Sequence, residues 1–234
     1  MTRMSITKFI PNTITCMNLT SGCFATTMAL QGNLKAAIIW IILAALFDFT
    51  DGLAARLLKA YSPLGKELDS LSDIVSFGVA PGMSLYVLLT TAVGTLGWSN
   101  SWLPYLAFVI PVFSGLRLAK FNIDERQTTS FIGMPVPAHA LLWGSLSYVL
   151  QSFIANDALY ILIACLIASM LTSYLLVSEV PMFSMKVKSL KWKGNEVRYI
   201  LICSGIAFIA LFGFLGIAGT ILLYIILSLF NKQH

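Results

Sequence analysis

The 234-residue chain is 58% hydrophobic and only 11% charged, with a mean hydropathy of +0.84. A soluble globular domain carries about 25% charged residues, so this composition excludes one and identifies an integral membrane protein. The net charge of +5 does not signal nucleic-acid binding, because the basic residues gather between apolar runs, as membrane topology requires.

The spacing of apolar runs predicts an all-α protein of about eight transmembrane helices, six in a core and two at the C-terminus, in a single domain over residues 1–234. Residues 1–11 are slightly basic, end at Pro11, and are expected to form a short interfacial helix. No small-residue cleavage site follows, so a cleaved signal peptide is not expected. The first span, 13–31, contains Thr15, Asn18, Thr20 and Ser21, so one face should look into protein or a cavity. The second, 36–58, runs from an apolar stretch into Asp48, Asp51 and Arg56. Ser62-Pro63-Leu64-Gly65 reads as a turn. The third span, 68–94, opens with Asp69 and Asp73.

The fourth span, 102–119, ends at Arg117-Leu118-Ala119-Lys120-Phe121-Asn122. A polar segment, 124–130, leads to Phe131-Ile132-Gly133-Met134-Pro135-Val136-Pro137-Ala138. Spans five and six cover 136–154 and 157–179, and a basic loop follows with Lys186, Lys188, Lys191, Lys193 and Arg198. The last apolar run, 197–230, is too long for one crossing of about 20 residues, and Gly213, Gly216 and Gly219 mark a break into two spans. With the N-terminus in the cytoplasm, every Lys and Arg except Lys35, 14 of 15, then falls on the cytoplasmic side. Both termini and the aspartate-bearing ends of spans two and three should face the cytoplasm of a multi-pass cell-membrane protein. The four cysteines lie in apolar stretches without metal-ligand spacing and read as small buried hydrophobes.

The chemistry concentrates between Asp48 and Asp73. Asp48 and Asp51 are three apart and Asp69 and Asp73 four apart, so each pair shares a helix face. Two antiparallel helices would bring the four carboxylates together, where they repel unless cations neutralise them. Carboxylates near hydrocarbon are functional by default, and oxygen donors without His or Cys suit a hard cation, Mg²⁺ or Mn²⁺. Four carboxylates could hold two ions and clamp a phosphoryl displacement. Gly52 and Gly65 would admit a ligand close to the backbone, and Arg56 could grip a phosphate. On these residues alone, a cation transporter built on the same aspartates remains an alternative.

Asp48-x2-Asp51-Gly52-x2-Ala55-Arg56-x8-Gly65-x3-Asp69-x3-Asp73 resembles, at every fixed position and spacing, the signature of the CDP-alcohol phosphatidyltransferase family. The resemblance implies a metal-dependent enzyme in which an alcohol attacks the lipid-linked phosphate of a CDP-lipid and CMP leaves. By position it makes Asp48, Asp51, Asp69 and Asp73 metal ligands, with Asp73 also the general base. Asn12, Thr15, Gly52, Ala55, Arg56, Ser62 and Gly65 would bind CDP-diacylglycerol. The 117–122 and 131–138 strings, with Asn18-Leu19-x2-Gly22, resemble the phosphatidylserine synthase branch, from which Lys120 and Met134 depart where Arg and Leu are usual. This makes L-serine the acceptor in phospholipid biosynthesis, with Arg117, Lys120 and Asn122 as its binding residues; Arg117 and Lys120 also fit a role as interfacial anchors. The same family contains phosphatidylglycerophosphate and phosphatidylinositol-phosphate synthases, which remain the nearest alternatives. The resemblance covers roughly residues 10–140 and also implies a homodimer.

Overall fold

The computed structural model describes residues 9–98, 100–124, 131–182 and 195–230. Most of the expected interfacial helix, the 125–130 segment and the 186–193 basic loop lie outside them. The chain is helical almost throughout. Its elements are α1 (Phe9–Leu30), α2 (Leu34–Leu57), α3 (Pro63–Asp73), a π-helical segment (Ile74–Val79), α4 (Ala80–Thr95), a 3-10 segment (Leu103–Phe108), α5 (Val109–Ile123), α6 (Val136–Gln151), α7 (Ile154–Val177), α8 (Glu196–Phe212) and α9 (Phe214–Phe230). Two short strands, β1 (Phe131–Ile132) and β2 (Pro181–Met182), pair antiparallel between the α5–α6 and α7–α8 connections.

Among the described residues, four continuous helical runs are long and apolar enough to cross a bilayer: Leu34–Leu57, Pro63–Thr95, Leu103–Ile123 and Ile154–Val177. The apolar helix Phe214–Phe230 is shorter. Gly213 separates α8 from α9 with φ +57, a left-handed conformation that glycine adopts without strain. The two helices fold back on one another, with Gly205 facing Thr220 and Gly216 against the Phe208 backbone.

Within the bundle α1 packs on α2, α3, the π segment and α4. Its buried face consists of Pro11, Thr15, Asn18, Ser21, Gly22, Ala25 and Ala29. These small and polar residues let helix backbones approach closely, which supplies packing where lipid gives no hydrophobic drive. At Gly22 a β-carbon would stand 2.7 Å from Ser76 Cα and 2.8 Å from Ser76 N, so only glycine fits. Of the polar residues expected on the inward face of the first span, Thr15, Asn18 and Ser21 are buried against protein and Thr20 is exposed. Phe77, Leu85, Leu88 and Leu89 on the third run, Ile38 and Ile41 on α2, and Leu142 and Trp143 on α6 fill the core.

The α2–α3 connection differs from the sequence reading. The chain reverses over 58–62, with Lys59 left-handed (φ +50), and Ser62 begins a helix instead of a turn. Ser62 Oγ caps α3 by accepting from Gly65 N at 3.0 Å, and Pro63 occupies the first turn, where a missing N–H costs nothing. The fourth span also runs further than expected, to Ile123, and this places Lys120 and Asn122 on α5 itself.

Candidate active site

α2 and α3 meet at one end of the bundle and converge their acidic faces. A carboxylate oxygen from each of Asp48, Asp51 and Asp69 lies within 4.8 Å of the others. Asp73 stands one helical turn further along α3 than Asp69, is 8% exposed, and accepts from Asn18 Nδ2 at 3.1 Å. It remains within electrostatic reach of the other three aspartates.

α1 fixes this second pair. Ser72 Oγ donates to Thr15 O (3.2 Å) and Ser76 Oγ to Asn18 O (2.9 Å), so α1 is bonded on both sides of Asp73. The Thr15 hydroxyl, donating to Pro11 O at 3.0 Å, also sits beside Asp51.

The residues present fit a bound hard cation. Three carboxylates converge, and Asp51 Oδ2 and Asp69 Oδ1 are buried with no hydrogen-bond partner. Buried acceptors of this kind are normally satisfied, and a metal ion is the partner that would also cancel their mutual repulsion.

A cavity of about 480 Å³ opens above this floor. Of the residues singled out from sequence, Asn12, Thr15, Asp51, Gly52, Ala55, Arg56, Ser62, Gly65 and Asp69 line it. At Gly65 a β-carbon would lie 3.0 Å from both Asn12 Oδ1 and Ser62 Oγ, so the glycine keeps a cradle open between α1 and the start of α3. Gly52 faces open space, with only Arg56 Nη2 at 3.9 Å from a β-carbon placed there. Arg56 folds back along α2 and donates from Nε to Gly52 O at 2.9 Å.

Asp48, Asp73, Arg117, Lys120 and Asn122 are not among the residues that line the cavity. Arg117 is 3% exposed, donates from Nε to Met134 O (3.4 Å), and holds its guanidinium 5.6 Å from the Phe121 ring centre. Lys120 Nζ donates to Val177 O (3.3 Å) and lies 3.9 Å from Glu179. Asn122 Nδ2 donates to Ser70 Oγ at 2.8 Å. The string 117–122 therefore joins α5 to three neighbours: the α6 approach, the end of α7, and α3.

Sequence reasoning assigned no binding role to Lys66, Tyr61, Ala60 and Phe121, which with Pro11 complete the lining. Lys66 directly follows Gly65, and a cation beside a glycine expected to contact the diphosphate was the available signal. Phe121 could be found only by knowing that α5 extends past residue 119.

The family model for CDP-alcohol phosphatidyltransferases matches residues 8–185, and the chain belongs to this family. The match includes the site and ends before α8. Among similar proteins, a CDP-diacylglycerol–serine O-phosphatidyltransferase of Bacillus subtilis is 36% identical over 173 residues, 74% of this chain and 89% of that protein. One of the same name from Mycobacterium leprae is 38% identical over 192 residues, 78% of this chain but 60% of that protein. An archaetidylserine synthase of Methanothermobacter thermautotrophicus is 34% identical over 163 residues, 68% of this chain and 66% of that protein.

Proposed function

We propose that the protein is a phosphatidylserine synthase, transferring the phosphatidyl group of CDP-diacylglycerol to the hydroxyl of L-serine with release of CMP. The observation that carries the chemistry is the meeting of Asp48, Asp51 and Asp69 at a cavity lined by the signature residues Gly52, Ala55, Arg56 and Gly65. The choice of serine rests on CDP-diacylglycerol–serine O-phosphatidyltransferases at 36–38% identity and an archaetidylserine synthase at 34%, each matched over two thirds or more of the chain.

In this reading the acyl chains stay among the apolar helices while the nucleotide enters the cavity. Asn12, Thr15 and the Gly65 cradle hold the cytidine end, and Gly52 and Ala55 give the diphosphate access to the α2 backbone. Arg56 releases Gly52 O and turns its guanidinium to a phosphate. Asp48, Asp51, Asp69 and Asp73 would hold Mg²⁺ or Mn²⁺, two ions by the number of carboxylates, which supplies the positive charge that a diphosphate beside aspartates requires. Asp73 takes the serine hydroxyl proton, fixed in orientation by Asn18. The serine oxygen forms its bond to the lipid-linked phosphorus as the bond to the CMP oxygen breaks. Arg117 answers the serine carboxylate from behind the Phe121 ring, with Lys120 beside it.

The positive-inside pattern supports eight crossings, with both termini and the site on the cytoplasmic side of the cell membrane. A second copy of the chain is the expected partner in a homodimer, and α8–α9 form an accessory hairpin.

Purified protein given labelled CDP-diacylglycerol and one alcohol at a time tests the proposal. Serine-dependent CMP release with formation of phosphatidylserine is expected. Transfer to glycerol 3-phosphate or an inositol phosphate in place of serine would overturn the acceptor assignment. Cation flux in liposomes without CMP release would overturn the enzyme.

A further inference from the structure

The end of α5 is closed onto α3 by a ring of hydrogen bonds whose members stand next to cavity residues. Lys66 Nζ donates to Asn122 O (3.2 Å), Asn122 Nδ2 donates to Ser70 Oγ (2.8 Å), and Ser70 Oγ donates to Lys66 O (3.4 Å). Lys66 and Ser70 are one turn apart on the same face of α3. The ring therefore meets α3 at two points and cannot be satisfied if α5 slides or tilts away. Asp69, which shares the carboxylate cluster, precedes Ser70, and Phe121, which lines the cavity, precedes Asn122. Phe121 is 42% exposed, and the Arg117 guanidinium backs its ring.

We propose that Lys66, Ser70 and Asn122 form a latch that holds the Phe121 wall against the acidic floor and so decides how well the alcohol acceptor competes with water. Asn122 is then a positioning residue acting through Ser70, and does not itself contact the acceptor. The inference rests on the transferase reading. The competing reaction balances without a further reactant: water attacks the same phosphorus, its proton is taken up by the base, the bond to CMP breaks, and phosphatidate is the product. A wall that stands away from the floor admits water beside the donor and leaves serine less well aligned. The fraction of donor lost to hydrolysis then rises even where total CMP release is preserved.

The test is a double-mutant cycle in the full-length protein, with Ser70→Ala, Asn122→Ala and the double variant assayed for phosphatidate against phosphatidylserine. Losing one such hydrogen bond should shift the product ratio toward phosphatidate by about three- to tenfold. Ser70→Ala should reproduce Asn122→Ala, and the double variant should be no worse than either, as expected for residues acting through one contact. Ser70→Thr keeps the hydroxyl and should restore the wild-type ratio. An altered ratio in Asn122→Ala with Ser70→Ala silent, or two effects that multiply in the double variant, would overturn the latch in favour of direct contact with the acceptor. The unfolding midpoints of the same four proteins in detergent separate this from failure of the function. If wild type shows no serine-dependent turnover, the transferase reading fails. Non-additive midpoints would then still support the bond between the helices, and additive ones would refute it.

Discussion

Gly65→Ala separates the stability of α3 from the use made of its first turn. Alanine favours a helix over glycine by about 0.5–1 kcal/mol, so propensity alone predicts a more stable protein. The new methyl would sit 3.0 Å from Asn12 Oδ1 and 3.0 Å from Ser62 Oγ. Both oxygens must retreat by a few tenths of an ångström to reach ordinary contact. Retreat of Ser62 weakens a cap worth about 1 kcal/mol, which offsets the gain in propensity. The unfolding midpoint should therefore move by no more than about 2–4 °C. Catalysis has no such compensation. Asn12 is displaced from the cavity wall, and a hydrogen bond to the neutral cytidine is worth about 0.5–1.5 kcal/mol. That corresponds to a roughly two- to tenfold loss in kcat/KM for CDP-diacylglycerol, at 1.4 kcal/mol per factor of ten. The assay is CMP release at saturating serine, beside thermal unfolding in the same detergent. Full activity with an unchanged midpoint would refute the cradle, because the methyl would then fit without disturbing anything that matters. An activity loss that merely followed the loss of folded protein would refute the separation of roles.

Asp73→Asn should leave the unfolding midpoint close to wild type, because an amide oxygen can still accept from Asn18, while turnover is abolished; near-wild-type turnover would remove Asp73 as the base. Gly22→Val should destabilise by about 1–3 kcal/mol through overpacking against the Ser76 backbone, read as a lowered unfolding midpoint. Chelation of divalent ions should stop CMP release, and Mg²⁺ or Mn²⁺ should restore it in wild type; in Asp51→Asn recovery should require a higher metal concentration. An unaltered metal dependence in that variant would place the ion elsewhere.

Much of the site was legible because its informative residues are chemically out of place. Four aspartates in a greasy chain need a reason, and helical spacing alone paired them. The apolar run lengths located the helices to within a few residues, and the long last run broke at Gly213 as its glycines suggested. The connections were harder to read. Ser62-Pro63-Leu64-Gly65 has the composition of a turn, yet the same residues make a capped helix start, and only the left-handed Lys59 shows where the reversal lies. Lys120 and Asn122 look like the polar end of a span. They stay helical because Val177 O and Ser70, far away in sequence, satisfy their side chains. No local pattern announces a partner more than fifty positions distant.

The π segment explains why the third run can serve two masters. Asp69 must face the cavity and Asp73 must reach Asn18 on α1, while Leu85, Leu88, Leu89 and Ala92 must face the core. In a regular helix each residue advances the face by about 100°, so the two requirements fix one another. Pro81 breaks that bond. It has no N–H for the Phe77 carbonyl, and its ring would strike that carbonyl in a regular turn. The chain widens instead over Ile74–Val79, with Ala80 N donating to Val75 O. One extra residue in the turn rotates everything downstream relative to the aspartates. The irregular turn is held from outside, by Ser76 on Asn18 O and by Gly22 closing on Ser76. Asn18 also positions Asp73, so one α1 residue serves both the widened turn and the carboxylate beside it. The polar stripe of α1 is accordingly part of the active site's construction, and the motif between Asp48 and Asp73 is incomplete without it.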